Sequence, residues 1–176
     1  MRKAVLISIK PKWCERIASG KKTVEVRKTA PKNGPPFKCY IYCTNPSYPH
    51  EDFFVIDAGT KKYKAFYGGG KVIGEFICDS IGIYHPGSCF TDERLVFSLR
   101  VLSCLTPKEI CNYSNGKPIY GWRISNLKIY DQPKELGDFK SYYGKCEIVD
   151  GYPVPATDRS ITRAPQSWMY VEENDG

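Results

Sequence analysis

The first third of the chain alternates between two hydrophobic patterns. Residues Ala4–Ile9 (AVLISI) form a continuous apolar run, which is typical of a buried strand. Pro11 then suits the first turn of a helix, where its missing N–H costs nothing. Apolar residues recur next at helical spacing, at Trp13, Cys14, Ile17 and Ala18. Because Ser19 and Gly20 favour a helix end, the pattern predicts a strand followed by a short helix.

The stretch Gly20–Lys28 (GKKTVEVRK) changes to a period of two residues. Further apolar runs predict strands at Phe37–Thr44, Phe53–Asp57, Lys71–Ser80, Val96–Leu105, Ile119–Tyr130 and Ala164–Glu173. Short helical segments are expected from Thr106, with Glu109 completing a capping box, and at Pro133–Phe139. Strands around two or three short helices predict an α+β fold, a small mixed β-barrel. We expect one domain over residues 1–176, with an inserted excursion at about 45–66.

Composition narrows the class of protein. The chain has 176 residues, 41% hydrophobic and 26% charged, as expected for a globular domain. No apolar run is long enough for a transmembrane helix, and Ala4–Ile9 is too short for a signal-peptide core, so a cytoplasmic location is expected. The eight cysteines are then predicted to be buried free thiols. Cys39 and Cys43 would lie about 13 Å apart on one strand, too far to share a metal ion, and neither a metal nor a cofactor is expected.

Positive charge is concentrated at one end of the chain. The formal net charge is +7. Residues 1–38 carry eleven Lys and Arg against Glu15 and Glu25, a balance of +9, while the remaining 138 residues balance at −2. A basic segment on a near-neutral body indicates a polyanionic partner, most simply nucleic acid, although general solubility would also explain it.

The strand within Gly20–Lys28 carries a positively charged side chain and a carboxylate that can accept hydrogen bonds. Val24 and Val26 would lie on one face, and Thr23, Glu25 and Arg27 on the other, with neighbours about 7 Å apart. A carboxylate between cations stays charged and can accept an N–H from a ligand, while a guanidinium can bind a phosphate or carboxylate. The alternative is a solvated strip of salt bridges worth about 0–1 kcal/mol.

Two tryptophans are candidates for stacking with bases. Trp122 precedes Arg123, and Trp168 follows Gln166 and Ser167. Aromatic side chains next to polar or basic groups suit unstacked bases, and packing in the core is the competing interpretation for both tryptophans. No Ser-His-Asp or Cys-His set can be identified, so catalysis would depend on Lys22 acting as a nucleophile or base.

Residues Ser8–Lys28 (SIKPKWCERIASGKKTVEVRK) resemble the signature of the ASCH domain family, within the PUA-like superfamily. The resemblance continues in order along the chain, and the later segments are similar to a subgroup met in phages and bacterial genomes. These segments are Tyr40–Thr44, Ala65–Phe76, Tyr120–Leu136 and Ala164–Glu173. The resemblance implies a compact PUA-like β-barrel with a cleft beside the first helix and the GKKTVEVR strand, and a role related to RNA or nucleotides.

One bacterial branch of this family hydrolyses the amide of N4-acetylcytidine with a lysine, a threonine and a glutamate. Its lysine corresponds to Lys22, but its catalytic threonine corresponds to Glu25 here. Thr23 corresponds to a non-catalytic threonine, and Glu109 is a positional guess for the glutamate. The resemblance therefore favours binding over hydrolysis.

The sequence thus predicts a non-catalytic module that binds RNA, single-stranded nucleic acid or a nucleotide, without a membrane. The predicted phosphate contacts are Lys10, Lys12, Lys21 and Lys22. The predicted cleft residues that read a base are Thr23, Glu25, Arg27, Trp122 and Arg123. The alternatives are a small amidohydrolase acting on a modified nucleoside through Lys22, and a protein-interaction module that uses Phe53 and Phe54.

Overall fold

A computed structural model describes most of the chain as strands and three α-helices. The described residues are 2–45, 53–56, 63–66, 69–85, 93–143, 146–149, 152–155 and 158–174. The helices are α1 (Pro11–Ala18), α2 (Glu93–Ser103) and α3 (Pro107–Ser114), with a short 3₁₀ helix at Leu136–Asp138. The strands are β1 (Lys3–Ile9), β2 (Val24–Arg27), β3 (Phe37–Cys43), β4 (Phe53–Ile56), β5 (Tyr63–Phe66), β6 (Lys71–Tyr84), β7 (Ile119–Lys134), β8 (Cys146–Val149), β9 (Tyr152–Pro155) and β10 (Trp168–Glu172).

Six strands form one mixed sheet in the order β10-β1-β3-β6-β7-β2. The pair β1–β3 is parallel, and the other neighbours in this sheet are antiparallel. Strand β1 is apolar from Ala4 to Ile7, and both faces of this run are covered. Val5 and Ile7 pack with α1 in one core cluster, whereas Ala4 and Leu6 pack in another. The hairpins β4–β5 and β8–β9 form separate two-stranded sheets.

The sheet is open between its end strands, β2 and β10, since no described ladder joins them. Side chains bridge this gap instead. Trp168 Nε1 donates a hydrogen bond of 3.0 Å to Thr29 Oγ1, just beyond β2. The rings of Trp168 and Trp122 are 5.9 Å apart. The α+β fold class is confirmed, with an open mixed sheet in place of the predicted closed barrel.

The prediction of a strand at Val96–Leu105 is wrong, because this segment lies in helix α2 and the turn that follows it. Leu99 and Ser103 are both buried, four residues apart, while Ser98 and Arg100 are exposed. That spacing gives one helical face, and Leu99 packs there against Val24 and Val26 of β2. A short apolar run does not by itself distinguish a buried strand from a buried helix.

Several local predictions are confirmed. Helix α1 begins at Pro11 and is followed by Gly20 with a φ of +73°. Helix α3 has the expected capping box between Thr106 and Glu109. The segment from Pro133 contains the 3₁₀ helix, and Phe139 behind it is fully buried. The inserted excursion at 45–66 lies largely outside the described residues and stays a prediction.

The cysteines whose side chains the structure describes are free thiols. Free thiols are buried at Cys14, Cys39, Cys43 and Cys78, as predicted, and burial raises the pKa of Cys14 and Cys39. The prediction of burial is wrong for Cys111, which is exposed on α3, and Cys104 is only half-buried. The helices in the described ranges include none with the length and apolarity needed to span a membrane.

Candidate ligand-binding cleft

A cleft of about 970 Å³ opens among α1, β2, α3 and the segment that leads into β10. Its volume lies at the upper end of the range of small-molecule sites. The lining residues are Ser8, Ile9, Lys10, Trp13, Lys22, Glu25, Val26, Arg27, Lys28, Thr29, Thr44, Leu105, Glu109, Asn112, Tyr113, Pro165, Gln166 and Ser167.

Backbone hydrogen bonds fix strand β2, which forms one wall of this cleft. The Lys22 N–H donates to the Arg16 carbonyl at 2.9 Å, which turns the chain back after α1. The Thr23 N–H donates to Leu102 O, and the Thr23 carbonyl accepts from the Ile124 N–H, each at 2.8 Å. Strand β2 then pairs antiparallel with β7, and its valines pack on α2 and α3. The charged side chains of β2 are thereby directed towards the cleft.

Three charged side chains form a buried ion triad, which we define as Lys22, Glu25 and Arg27. Lys22 Nζ lies 3.3 Å from Glu25 Oε2, and Arg27 Nη2 lies 3.1 Å from Glu25 Oε1. The three side chains are only 2%, 8% and 9% exposed. The arrangement is therefore a buried network with one net positive charge, and the interpretation as a solvated salt-bridge strip is excluded.

Backbone carbonyls complete the surroundings of the two cations. Lys22 Nζ donates to the Ser103 carbonyl at 2.9 Å, and Arg27 Nη2 donates to the Ser8 carbonyl at 2.5 Å. Lys22 Nζ also lies 5.2 Å from the centroid of the Trp13 ring, within the range of a cation–π contact. The triad is thus held by β1, α1 and the C-terminal end of α2.

The triad retains unused hydrogen-bonding capacity. Within the described part of the chain, Arg27 Nε is buried and lacks a hydrogen-bond partner, and Glu25 Oε2 is buried with the Lys22 ammonium as its ion-pair partner but with no hydrogen bond. A buried polar group without a partner costs about 1–3 kcal/mol. A small shift of these groups towards a ligand in the cleft would recover part of that cost.

Charges at the mouth of the cleft are predominantly positive. Lys10 and Lys28 are exposed there, and the lining as a whole has four Lys or Arg residues against two glutamates. The second glutamate, Glu109 of α3, pairs with Lys12 of α1 at 3.7 Å. Hydrogen bonds from the Thr106 N–H and hydroxyl lower the pKa of Glu109, and Lys12 adds to this effect. Glu109 is therefore an ionised helix-capping residue, which does not suit the catalytic role guessed from its position.

The structure brings four of the predicted site residues together, namely Lys10, Lys22, Glu25 and Arg27. The other two predicted lysines do not line the cleft. Lys12 forms an ion pair with Glu109. Lys21, which directly precedes Lys22 in the sequence, is exposed to solvent. Thr23 also lies outside the lining, and its backbone joins β2 to α2 and β7.

Trp122 and Arg123 are likewise not part of the cleft wall, which corrects the interpretation that they read a base there. The Trp122 side chain is fully buried, with its ring 5.4 Å from that of Phe37. Arg123 is 67% exposed and pairs with Asp79 at 3.8 Å. The reason is the alternation of β7, which directs Trp122 into the core and Arg123 to solvent.

Sequence reasoning missed several lining residues, among them Lys28, Thr29, Asn112 and Tyr113. Lys28 and Thr29 directly follow the strand and could have been included on that ground. The two α3 residues could not, because α3 reaches the cleft through the turn after α2, a segment that the sequence pattern assigned to a strand.

Comparisons with known proteins bear on the fold. No family profile matches the chain, and no curated protein matches it. Among solved structures, the ASCH protein of Zymomonas mobilis aligns over 97% of this chain and 88% of its own, with a TM-score of 0.55 and 18% identity. A single-residue variant of that protein aligns over 98% of this chain and 90% of its own, at a TM-score of 0.56 and 18% identity. This chain therefore has the fold of these ASCH structures, as the resemblance of Ser8–Lys28 implied.

Proposed function

We propose that this chain is a binding module for RNA or other single-stranded nucleic acid, which holds one nucleotide in the cleft. The observation that carries the proposal is the buried ion triad in the wall of a cleft whose lining has a net positive charge. The triad and the cations at the mouth suit different parts of a nucleotide.

The exposed ammonium groups of Lys10 and Lys28 suit phosphates. Phosphate contacts of this kind supply affinity without reading sequence, and they remain accessible from solvent. The deeper carboxylate of Glu25 would repel a phosphate but accept an N–H from the edge of a base. The arrangement therefore favours a nucleotide bound with its base inside and its phosphates at the mouth.

A single-stranded ligand fits this geometry better than a duplex. Proteins that read RNA by sequence mostly bind unstacked bases in loops and single strands, because the bases can turn outwards. A base in a duplex would have to leave its stack before it could reach the triad.

The contacts of Lys22 support binding over hydrolysis. Its ammonium already pairs with Glu25 and donates to the Ser103 carbonyl. Thr23 lies outside the cleft lining, and Glu109 caps α3. Incubation with N4-acetylcytidine tests the rival: release of cytidine that is lost in Lys22→Ala and kept in Lys21→Ala would establish the hydrolase. The third alternative depends on Phe53 and Phe54, whose side chains lie outside the described ones.

We expect binding of single-stranded RNA to weaken with salt in proportion to the number of phosphate contacts. Each contact contributes about −0.7 to the slope of log K against log[salt] for single strands. Lys10→Ala and Lys28→Ala should each reduce the steepness by about 0.7, because each removes one phosphate contact. Fluorescence anisotropy with a labelled pool of random RNA octamers measures these slopes.

Lys117→Ala is the matched control for this series. Lys117 is exposed and does not line the cleft, so its replacement should leave the slope unchanged. Absence of binding to RNA and DNA octamers even at low salt would refute the proposed function.

A further inference from the structure

Four aromatic side chains form a continuous row from the core to the surface beside β10. We call Trp168, Tyr170, Tyr143 and Tyr142 the aromatic row. Neighbouring ring centroids are 5.3 Å apart for Trp168–Tyr170, 5.8 Å for Tyr170–Tyr143 and 5.3 Å for Tyr143–Tyr142. Each pair meets edge to face, which is a favoured geometry for aromatic rings.

Positive charge accompanies the row. Lys3 Nζ lies 4.5 Å from the ring centroid of Tyr142, 5.1 Å from that of Tyr143 and 4.6 Å from that of Tyr170. It also donates to the Tyr143 hydroxyl at 3.2 Å. The backbone N–H of exposed Lys32 donates to the Tyr170 hydroxyl at 3.1 Å, which places this loop beside the row. Aromatic rings interleaved with lysines are typical of surfaces that bind single-stranded nucleic acid.

The row is continuous with the cleft. Ser167, which lines the cleft, is followed directly by Trp168. Trp168 Nε1 donates to the hydroxyl of Thr29, another lining residue. A chain that leaves the cleft between these two residues would meet the aromatic row next.

Core packing explains only the inner end of the row. Trp168 contacts the fully buried Trp122, so its ring helps to close the gap between β2 and β10. Tyr143, the third ring of the row, is 59% exposed, although a tyrosine ring in contact with water gains little stability for the fold. Its exposed surface, next to an ammonium group, is available to a ligand.

We propose that the aromatic row is a second contact surface, on which nucleotides adjacent to the one in the cleft stack while Lys3 and Lys32 meet their phosphates. This inference rests on the proposed function, because it extends the path of the same single-stranded ligand. It predicts that affinity increases from a mononucleotide, which fills only the cleft, to an octamer, which also covers the row.

Tyr143→Ala should weaken binding of the labelled RNA octamer pool by about tenfold, which is within the contribution of one base–aromatic stack. Binding of mononucleotides, measured by competition with AMP, CMP, GMP and UMP, should be unchanged because the cleft is intact. Tyr152→Ala is the matched control, since Tyr152 is a 75% exposed tyrosine on β9 and is not part of the row. It should leave octamer affinity unchanged. Tyr143→Leu keeps apolar bulk without the ring and should weaken the octamer as Tyr143→Ala does, so it serves if the alanine variant does not fold.

The outcomes separate this inference from the proposed function. If the octamer binds wild type but Tyr143→Ala and Tyr143→Leu bind it as tightly, the row is not a nucleic-acid surface and the cleft proposal stands. If the octamer binds no more tightly than a mononucleotide, the row is again not a nucleic-acid surface and the cleft proposal stands. That result is expected if the row contacts a protein partner instead. If wild type binds neither octamers nor mononucleotides, both proposals fail.

Discussion

Replacing Glu25 with alanine is expected to lower the free energy of unfolding by about 3–5 kcal/mol, the usual cost of breaking a buried ion pair by removing one partner. Glu25 is the carboxylate that both Lys22 and Arg27 contact, at 3.3 and 3.1 Å. Without it, two cations that are less than a tenth exposed would lie side by side with no anionic partner among the triad, and would keep only uncharged contacts such as the Ser103 and Ser8 carbonyls. Urea denaturation followed by circular dichroism measures the change.

Lys12→Ala is the control for the Glu25 variant. It also breaks an ion pair, but its side chain is 62% exposed, so the expected loss is below about 1 kcal/mol. If Glu25→Ala were no more destabilising than Lys12→Ala, the triad would not be a buried network in solution, and its role in the cleft wall would be lost with it.

Trp122→Ala is expected to destabilise the protein by a similar amount, about 3–5 kcal/mol, as is usual for removal of a buried tryptophan. The Trp122 side chain is fully buried, with aromatic contacts to Phe37 and Trp168. Trp122→Phe should be much milder, because it keeps an aromatic ring there. It removes the five-membered ring, which leaves a smaller cavity than alanine does, and an indole N–H that has no hydrogen-bond partner within the described residues. Urea denaturation compares the two variants.

The same pair of variants distinguishes core packing from recognition of a base. If Trp122 only packs in the core, Trp122→Phe should bind RNA octamers as tightly as wild type. A variant of wild-type stability with clearly weaker RNA binding would show that Trp122 reaches the ligand, contrary to its position in the structure.

The sequence predicted well those elements that depend on local chemistry. The start of α1 at Pro11 follows from the fixed φ of proline, and the capping box of α3 follows from Thr106 and Glu109 three residues apart. The apolar run of β1 likewise indicates a strand covered on both faces. Each of these signals lies within a few residues of the feature that it predicts.

Features that depend on distant parts of the chain could not be predicted in the same way. The acceptor for Lys22 is the Ser103 carbonyl, 81 residues further along the chain, and nothing near Lys22 indicates it. The burial of Glu25 and Arg27 depends on where α2 and α3 lie, and α2 was itself predicted to be a strand. Trp122 and Arg123 are an aromatic and a basic residue side by side, as expected of a pair that reads a base. The side-chain directions along β7 instead bury Trp122 in the core and expose Arg123 to solvent.

The most direct test of the account is a comparison of two double charge reversals in binding of labelled RNA octamers. Lys10→Glu/Lys28→Glu alters the mouth of the cleft, and Lys117→Glu/Lys128→Glu makes the same change in formal charge at exposed lysines outside the lining. The account predicts at least about a tenfold loss of affinity for the first variant, which loses two phosphate contacts, and little change for the second. Equal losses in the two variants would show that binding follows net charge alone, and would contradict the claim that this cleft is the binding site.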